Sequence, residues 1–125
     1  MHLNTELIID EDRSVARVTM DGFLNADTAP ELQAQLDEAI RSGMQLTVMD
    51  MKGLEYISSA GVRVILGASK QLKSENRRLA SANRRPHIAK VFNILRALPD
   101  MTIFADDEEM DAYLAKIQFN AFGSD

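Results

Sequence analysis

The sequence predicts an α/β fold: a mostly parallel sheet of about five strands with an N-terminal hairpin and four helices. Three observations carry this. β-rich or apolar runs alternate with segments of helical periodicity, in the order β-β-α-β-α-β-α-β-α, which calls for parallel crossovers. The helical segments are bounded by capping and stop residues. The chain of 125 residues is 46% hydrophobic and 26% charged, a globular composition long enough to close one core. No internal repeat, linker or low-complexity stretch divides it, so one domain is expected over residues 1–125.

Leu7 to Ile9 opens a hairpin and Asp10-Glu11-Asp12-Arg13 turns it. Val15 to Met20 returns with Ala16, Val18 and Met20 on one face, and Asp21-Gly22 ends the strand. Thr28 and Glu31 have the spacing of a capping box, with Pro30 in the first turn. Leu32, Leu36, Ala39 and Ile40 follow at helical spacing until Ser42-Gly43. Leu46 to Met51 is apolar on both faces, which suits a central strand covered on two sides, and Lys52 to Ile57 reads as a loop. A second helix runs from about Ser59 to Lys73 with the stripe Val62, Ile65, Leu66, Ser69 and Leu72. Val48 and Leu66 are therefore expected in the core. Leu79 to Ala82 is a short strand, and Pro86 opens a third helix with the stripe Ile88, Val91, Phe92 and Leu95, ended by Leu98-Pro99. Met101 to Phe104 is the last strand. Asp106 can cap a fourth helix with the apolar face Met110, Tyr113, Leu114 and Ile117, and Glu108 and Glu109 suit its positive end. The tail, from about 119 to 125, is expected to fray.

Composition excludes several kinds of function. There is no cysteine, so disulfides, thiolate metal sites and a cysteine nucleophile are ruled out. His2 and His87 have no ligand spacing, so no metal and no cofactor is expected. No apolar run reaches the length of a membrane span, so no membrane insertion is expected. The acidic N-terminus lacks the pattern of a signal peptide, and a cytoplasmic location follows. The net charge of −5 argues against a nucleic-acid partner. That net value hides a pattern: residues 1–62 carry 4 basic and 11 acidic side chains, residues 63–99 carry 9 and 1, and residues 100–125 carry 1 and 7. Arg77, Arg78, Arg84, Arg85 and Lys90 read as a solvated rim that could alternatively bind a phosphate, a nucleotide or an acidic partner. No aromatic residues interleave them, unlike a single-strand binding surface. The seven methionines read as core filler.

The most informative segment runs from Asp50 through Tyr56-Ile57-Ser58-Ser59-Ala60-Gly61-Val62-Arg63. A buried strand ends in a carboxylate, and two serines stand where a helix begins. Sites in α/β sheets gather at the carboxyl ends of strands, and a helix N-terminus favours a negative group. A phosphate on a serine there would face free N–H groups. Ser58 or Ser59 can equally be a plain N-cap. Gly61 reads as a close-packing position in the first helical turn.

This segment resembles the phosphoacceptor loop of STAS domains of the anti-sigma factor antagonist family: a strand ending in Asp, an aromatic-apolar pair, then a Ser-Ser/Thr-Gly-like turn into an apolar helix. Gly22-Phe23-Leu24-Asn25 is similar to the family's Gly-x-Leu-Asp before its first helix, with Asn25 in place of Asp. Ser58 stands where many members have Asp, and Ala60 where many have a second hydroxyl. The likeness covers nearly the whole chain. It implies a STAS fold and a non-enzymatic switch protein with Ser59 as phosphoacceptor. Its implied partners are a GHKL-type serine kinase that is also the anti-sigma factor, and a PP2C-type phosphatase. On this reading Asp50 orients the loop or steers the kinase, unless it only ends its strand. Arg63, four residues after Ser59, pairs with the phosphoryl group or is a surface arginine. The rival reading is a non-switching STAS module of a transporter or larger signalling assembly. A serine hydrolase is disfavoured, because there is no Gly-x-Ser-x-Gly elbow and no histidine near the serines in sequence.

Overall fold

The computed structural model describes residues 2–97 and 106–122. Within them β1 (Leu3–Asp10) and β2 (Val15–Leu24) form the N-terminal hairpin. α1 (Ala29–Arg41), β3 (Leu46–Ile57), α2 (Ser59–Ser74), β4 (Arg78–Ala82), α3 (Pro86–Ala97) and α4 (Asp107–Phe122) follow. The four strands lie in chain order, with β1 antiparallel to β2 and the β2–β3 and β3–β4 pairs parallel. This is the expected mostly parallel sheet with its hairpin and four helices. The strand expected over Met101 to Phe104 and the Leu98-Pro99 helix end lie outside the described residues, as do residues 123–125 of the expected tail.

Three strands run well beyond their sequence pattern. β1 begins at Leu3, four residues before the apolar run Leu7 to Ile9. β2 passes through Asp21-Gly22 to Leu24, with Gly22 at φ +119°, a conformation that glycine adopts without a Cβ penalty. β3 continues through the supposed loop Lys52 to Ile57. Its register against β2 shifts between Thr19 and Asp21 and again between Gly22 and Phe23, leaving an extra β3 residue each time. The inward positions then fall at Met51, Leu54 and Ile57, a spacing of three that no period-2 pattern reveals.

The core lies on one face of the sheet. Ala16, Val18 and Met20 of β2 and Met49 and Met51 of β3 are buried there against Leu32 and Leu36 of α1 and Val62, Ile65 and Leu72 of α2. Two-sided cover of β3 was the expectation, yet Leu46, Val48 and Asp50 are only half-buried on its other face. Val48 is thus outside the core. Leu66, also expected inside, is 44% exposed, because the inward stripe of α2 runs Val62, Ile65, Ala68 and Leu72. Met20, Met49, Met51 and Met110 do fill the core.

The start of α1 is not the expected capping box. Thr28 turns its hydroxyl away from the helix, donating to the Phe23 carbonyl at 2.7 Å. Thr28 remains the N-cap by backbone, its carbonyl accepting the Glu31 N–H at 2.9 Å, and Asn25 closes the turn before it: its Oδ1 accepts the N–H groups of Asp27 and Thr28 at 3.0 and 3.1 Å. Ser42-Gly43 ends α1 as expected, with Gly43 at φ +79°. Asp106 caps α4, its carboxylate accepting the Glu109 N–H at 2.8 Å.

Candidate functional site

The ends of β2 and β3 meet where α1 and α2 begin. Leu24 pairs with Ile57 as the last rung of the β2–β3 ladder, and the Ser58 N–H extends it by donating to the Leu24 carbonyl at 2.9 Å. Ser58 is extended (φ −103°, ψ 175°), and its carbonyl accepts the Val62 N–H at 3.0 Å, the first bond of α2. Ser58 is therefore the N-cap by backbone, although its side chain caps nothing. Its hydroxyl is buried without a hydrogen-bond partner among the described residues. Gly61 lets this first turn sit on the strand ends, since a Cβ there would overlap Leu24. Asn25, just after β2, thus flanks the serines, while its own amide closes the turn that leads into α1.

Ser59 is the first residue of α2 and is only 2% exposed. Its N–H donates to Asp111 Oδ1 at 2.8 Å, and its hydroxyl donates to the same oxygen at 2.6 Å. The expectation of free N–H groups at Ser59 is thereby corrected: a carboxylate from α4 already holds that position. A second residue of α4 grips the strand end. Gln118 is fully buried, its Oε1 accepting the Ile57 N–H at 2.9 Å and its Nε2 donating to the Ile57 carbonyl at 2.6 Å. Met110, Leu114 and Ile117 fill the space between these contacts. Tyr56, stacked on Phe23 with ring centroids 6.2 Å apart, has its hydroxyl pKa raised, first by burial and then by the charge of Asp111.

The other sequence candidates are placed differently. Arg63 is exposed one turn beyond Ser59. Asp50 does not end its strand and does not reach Ser59; six residues of β3 lie between it and Ile57, a span of roughly 20 Å. Its Oδ2 pairs with Arg17 at 2.7 Å, and its Oδ1 accepts from Asn83 at 3.0 Å and from the Lys52 N–H at 3.1 Å. Its pKa is lowered, chiefly by the Asn83 hydrogen bond, against the opposing effect of burial. Arg77 leaves the supposed basic rim altogether. It is buried, donating to the carbonyls of Met44 at 2.9 Å and Ile40 at 2.8 Å and pairing with Glu75. Arg84 lies over the Phe92 ring and Arg85 donates to the Lys52 carbonyl, while Arg78 and Lys90 are exposed. A ring nitrogen of His87 is engaged by the Glu55 carbonyl at 2.8 Å.

Asp111 and Gln118 were missed in the sequence. One signal was available: with Leu114 they occupy positions i, i+3 and i+7, so two polar residues stand on the apolar stripe of an amphipathic helix. Chemically, the arrangement is a nucleophilic hydroxyl at a helix N-terminus, held by a carboxylate rather than by a base-histidine pair.

A family model described as "Mlab, STAS domain" matches residues 8–97. A protein of Bordetella bronchiseptica named as the anti-sigma factor antagonist BtrV is 34% identical over 89 residues, covering 71% of this chain and 77% of its own. The anti-sigma F factor antagonist of Paenibacillus polymyxa is 27% identical over 111 residues, covering 88% and 93%. Among solved structures, the anti-sigma factor antagonist SpoIIAA in its unphosphorylated form superposes with a TM-score of 0.61 at 23% identity, over 73% of this chain and 83% of that one.

Proposed function

The chain belongs to the STAS domain family, and we propose that it is an anti-sigma factor antagonist switched by phosphorylation of Ser59. The single observation that carries this reading is the place of Ser59: the first residue of α2, at the carboxyl edge of β3, with hydroxyl and N–H converging on one anionic group. A position that holds a carboxylate in this way suits an anionic modification. The names of the relatives support the antagonist role. We propose a single STAS domain over residues 1–125.

In this reading the unphosphorylated protein binds a GHKL-type serine kinase that acts as the anti-sigma factor, and so frees what that partner holds. Phosphorylation ends the complex. The Ser59 oxygen bonds to the γ-phosphorus of ATP, the bond from that phosphorus to the departing ADP breaks, and the hydroxyl proton passes to a base of the kinase. A PP2C-type phosphatase returns serine and inorganic phosphate by hydrolysis. The added charge of about −1.5 to −2 at one point of a close interface brings repulsion and desolvation. Arg63, one helical turn beyond, is placed to face the kinase or the phosphoryl group, and Asn25, Ser58 and Gly61 shape the surface around it. Asp50, far from the serine, ties Arg17 of β2 to Asn83 after β4 and so supports the sheet that carries the loop.

Intact mass after incubation with the cognate kinase and ATP tests this reading. One added phosphoryl group that maps to Ser59 supports it. An unmodified wild type that still forms a stable kinase complex favours the non-switching module.

A further inference from the structure

Ser59 lies beneath α4, a helix that touches it at one oxygen. Its hydroxyl and N–H both end on Asp111 Oδ1, and with 2% of its surface exposed it offers no path for in-line attack on a nucleotide phosphate. Seven residues further along, Gln118 fastens α4 to both backbone groups of Ile57. The first turn of α4 is also acidic: Asp106, Asp107, Glu108, Glu109 and Asp111 lie within six residues. A phosphoryl dianion on Ser59 would need the position that the Asp111 carboxylate fills, beside that acidic turn.

We infer that α4 is a latch on the phosphoacceptor, held by Asp111 and Gln118, so that docking of α4 and phosphorylation of Ser59 exclude one another. This rests on the reading of Ser59 as phosphoacceptor and adds its regulation. Two consequences follow from one linkage. The docked protein is a poor kinase substrate, because Ser59 is available only in the fraction of molecules whose α4 has lifted. By reciprocity, phosphorylation favours the lifted state by the same factor. The modified protein then differs from the unmodified one in shape as well as charge: Leu24, Ile57 and the apolar face of α4 are uncovered together. Asp111 acts in the unmodified protein as the resident anion of the α2 N-terminus, which keeps the site satisfied until phosphate replaces it. The raised Tyr56 pKa, part of it from the charge of Asp111, is a second sign that this carboxylate acts on the loop.

Hydrogen exchange followed by mass spectrometry tests the latch without a kinase. In full-length Ser59→Asp, a carboxylate faces Asp111, and α4 amides together with the Ile57 amide are expected to exchange at least about tenfold faster than in the wild type, while β1 and β2 keep their protection. Unchanged protection in α4 overturns the inference. With the cognate kinase and ATP, Asp111→Ala and Gln118→Ala are each expected to be phosphorylated at Ser59 about tenfold faster than the wild type. Gln118→Ala leaves the serine's own contacts in place, so it separates release of the helix from loss of a local hydrogen bond. Phosphorylation of all three proteins at the same measurable rate overturns the latch. Opening in Ser59→Asp with no phosphorylation of any variant supports the latch and refutes the phosphoacceptor reading.

Discussion

Ser59 directs both of its donors at one carboxylate oxygen, while Ser58, buried beside it, leaves its hydroxyl without a partner among the described residues. The two serines are therefore expected to behave differently. Ser59→Ala should lose phosphorylation by the cognate kinase and keep partner binding, and Ser58→Ala should be modified like the wild type. Site-localised mass spectrometry of both variants checks this, and phosphate kept in Ser59→Ala but lost in Ser58→Ala would move the acceptor to Ser58. Asp50 gives a pH prediction. Its folded pKa lies below the ordinary 3.8, mainly through the Asn83 hydrogen bond and then through Arg17 and the Lys52 N–H, with burial opposing. A depressed carboxylate stabilises the fold above its unfolded pKa, and that contribution disappears as pH falls through the lower folded value. The gap in urea midpoint between wild type and Asp50→Asn should accordingly be widest above pH 3.8 and narrow below it; a gap independent of pH would show that the ion pair contributes nothing to this linkage.

Among the elements, α2 and β3 show how a pattern can be read one position off. Both Ile65 and Leu66 fit an apolar stripe, yet the first is 4% exposed and the second 44%. Ile65→Ala should cost about 2–5 kcal/mol, as for other large-to-small core changes. Leu66→Ala should stay within about 0.5 kcal/mol. Denaturant midpoints of the pair decide it, and a larger loss for Leu66→Ala would turn the helix around. β3 is harder to read because its two register shifts convert a spacing of two into a spacing of three, so a strand of 12 residues looks like a short strand and a loop.

For the whole molecule, the basic middle third divides into an internal and an external set. Arg77 joins the start of β4 to the carbonyls that end α1 and precede β3; the Ile40 carbonyl also accepts the Gly43 N–H, so Arg77→Ala strands the Met44 acceptor, at about 1–3 kcal/mol, and a denaturant midpoint reads the loss. Arg78 and Lys90 are exposed, and reversing both should leave the folding midpoint unchanged and partner affinity within a few fold. Thermal melts and a titration of the kinase measure the two effects. A tenfold loss, about 1.4 kcal/mol, would make this rim a docking surface.

Local chemistry alone carried the alternation of strands and helices, the inward set Ala16, Val18 and Met20, the start of α2 at Ser59 and the close packing of Gly61. Each of these depends on residues within about a dozen positions, the range over which periodicity and capping act. The burial of Arg77, the exposure of Leu66 and the closure of α4 over Ser59 were decided by tertiary structure. Asp111 and Gln118 meet their partners across 52 and 61 residues of chain. No local period registers such a pairing, because it exists only once the sheet has brought the end of β3 beneath a helix that begins 50 residues later.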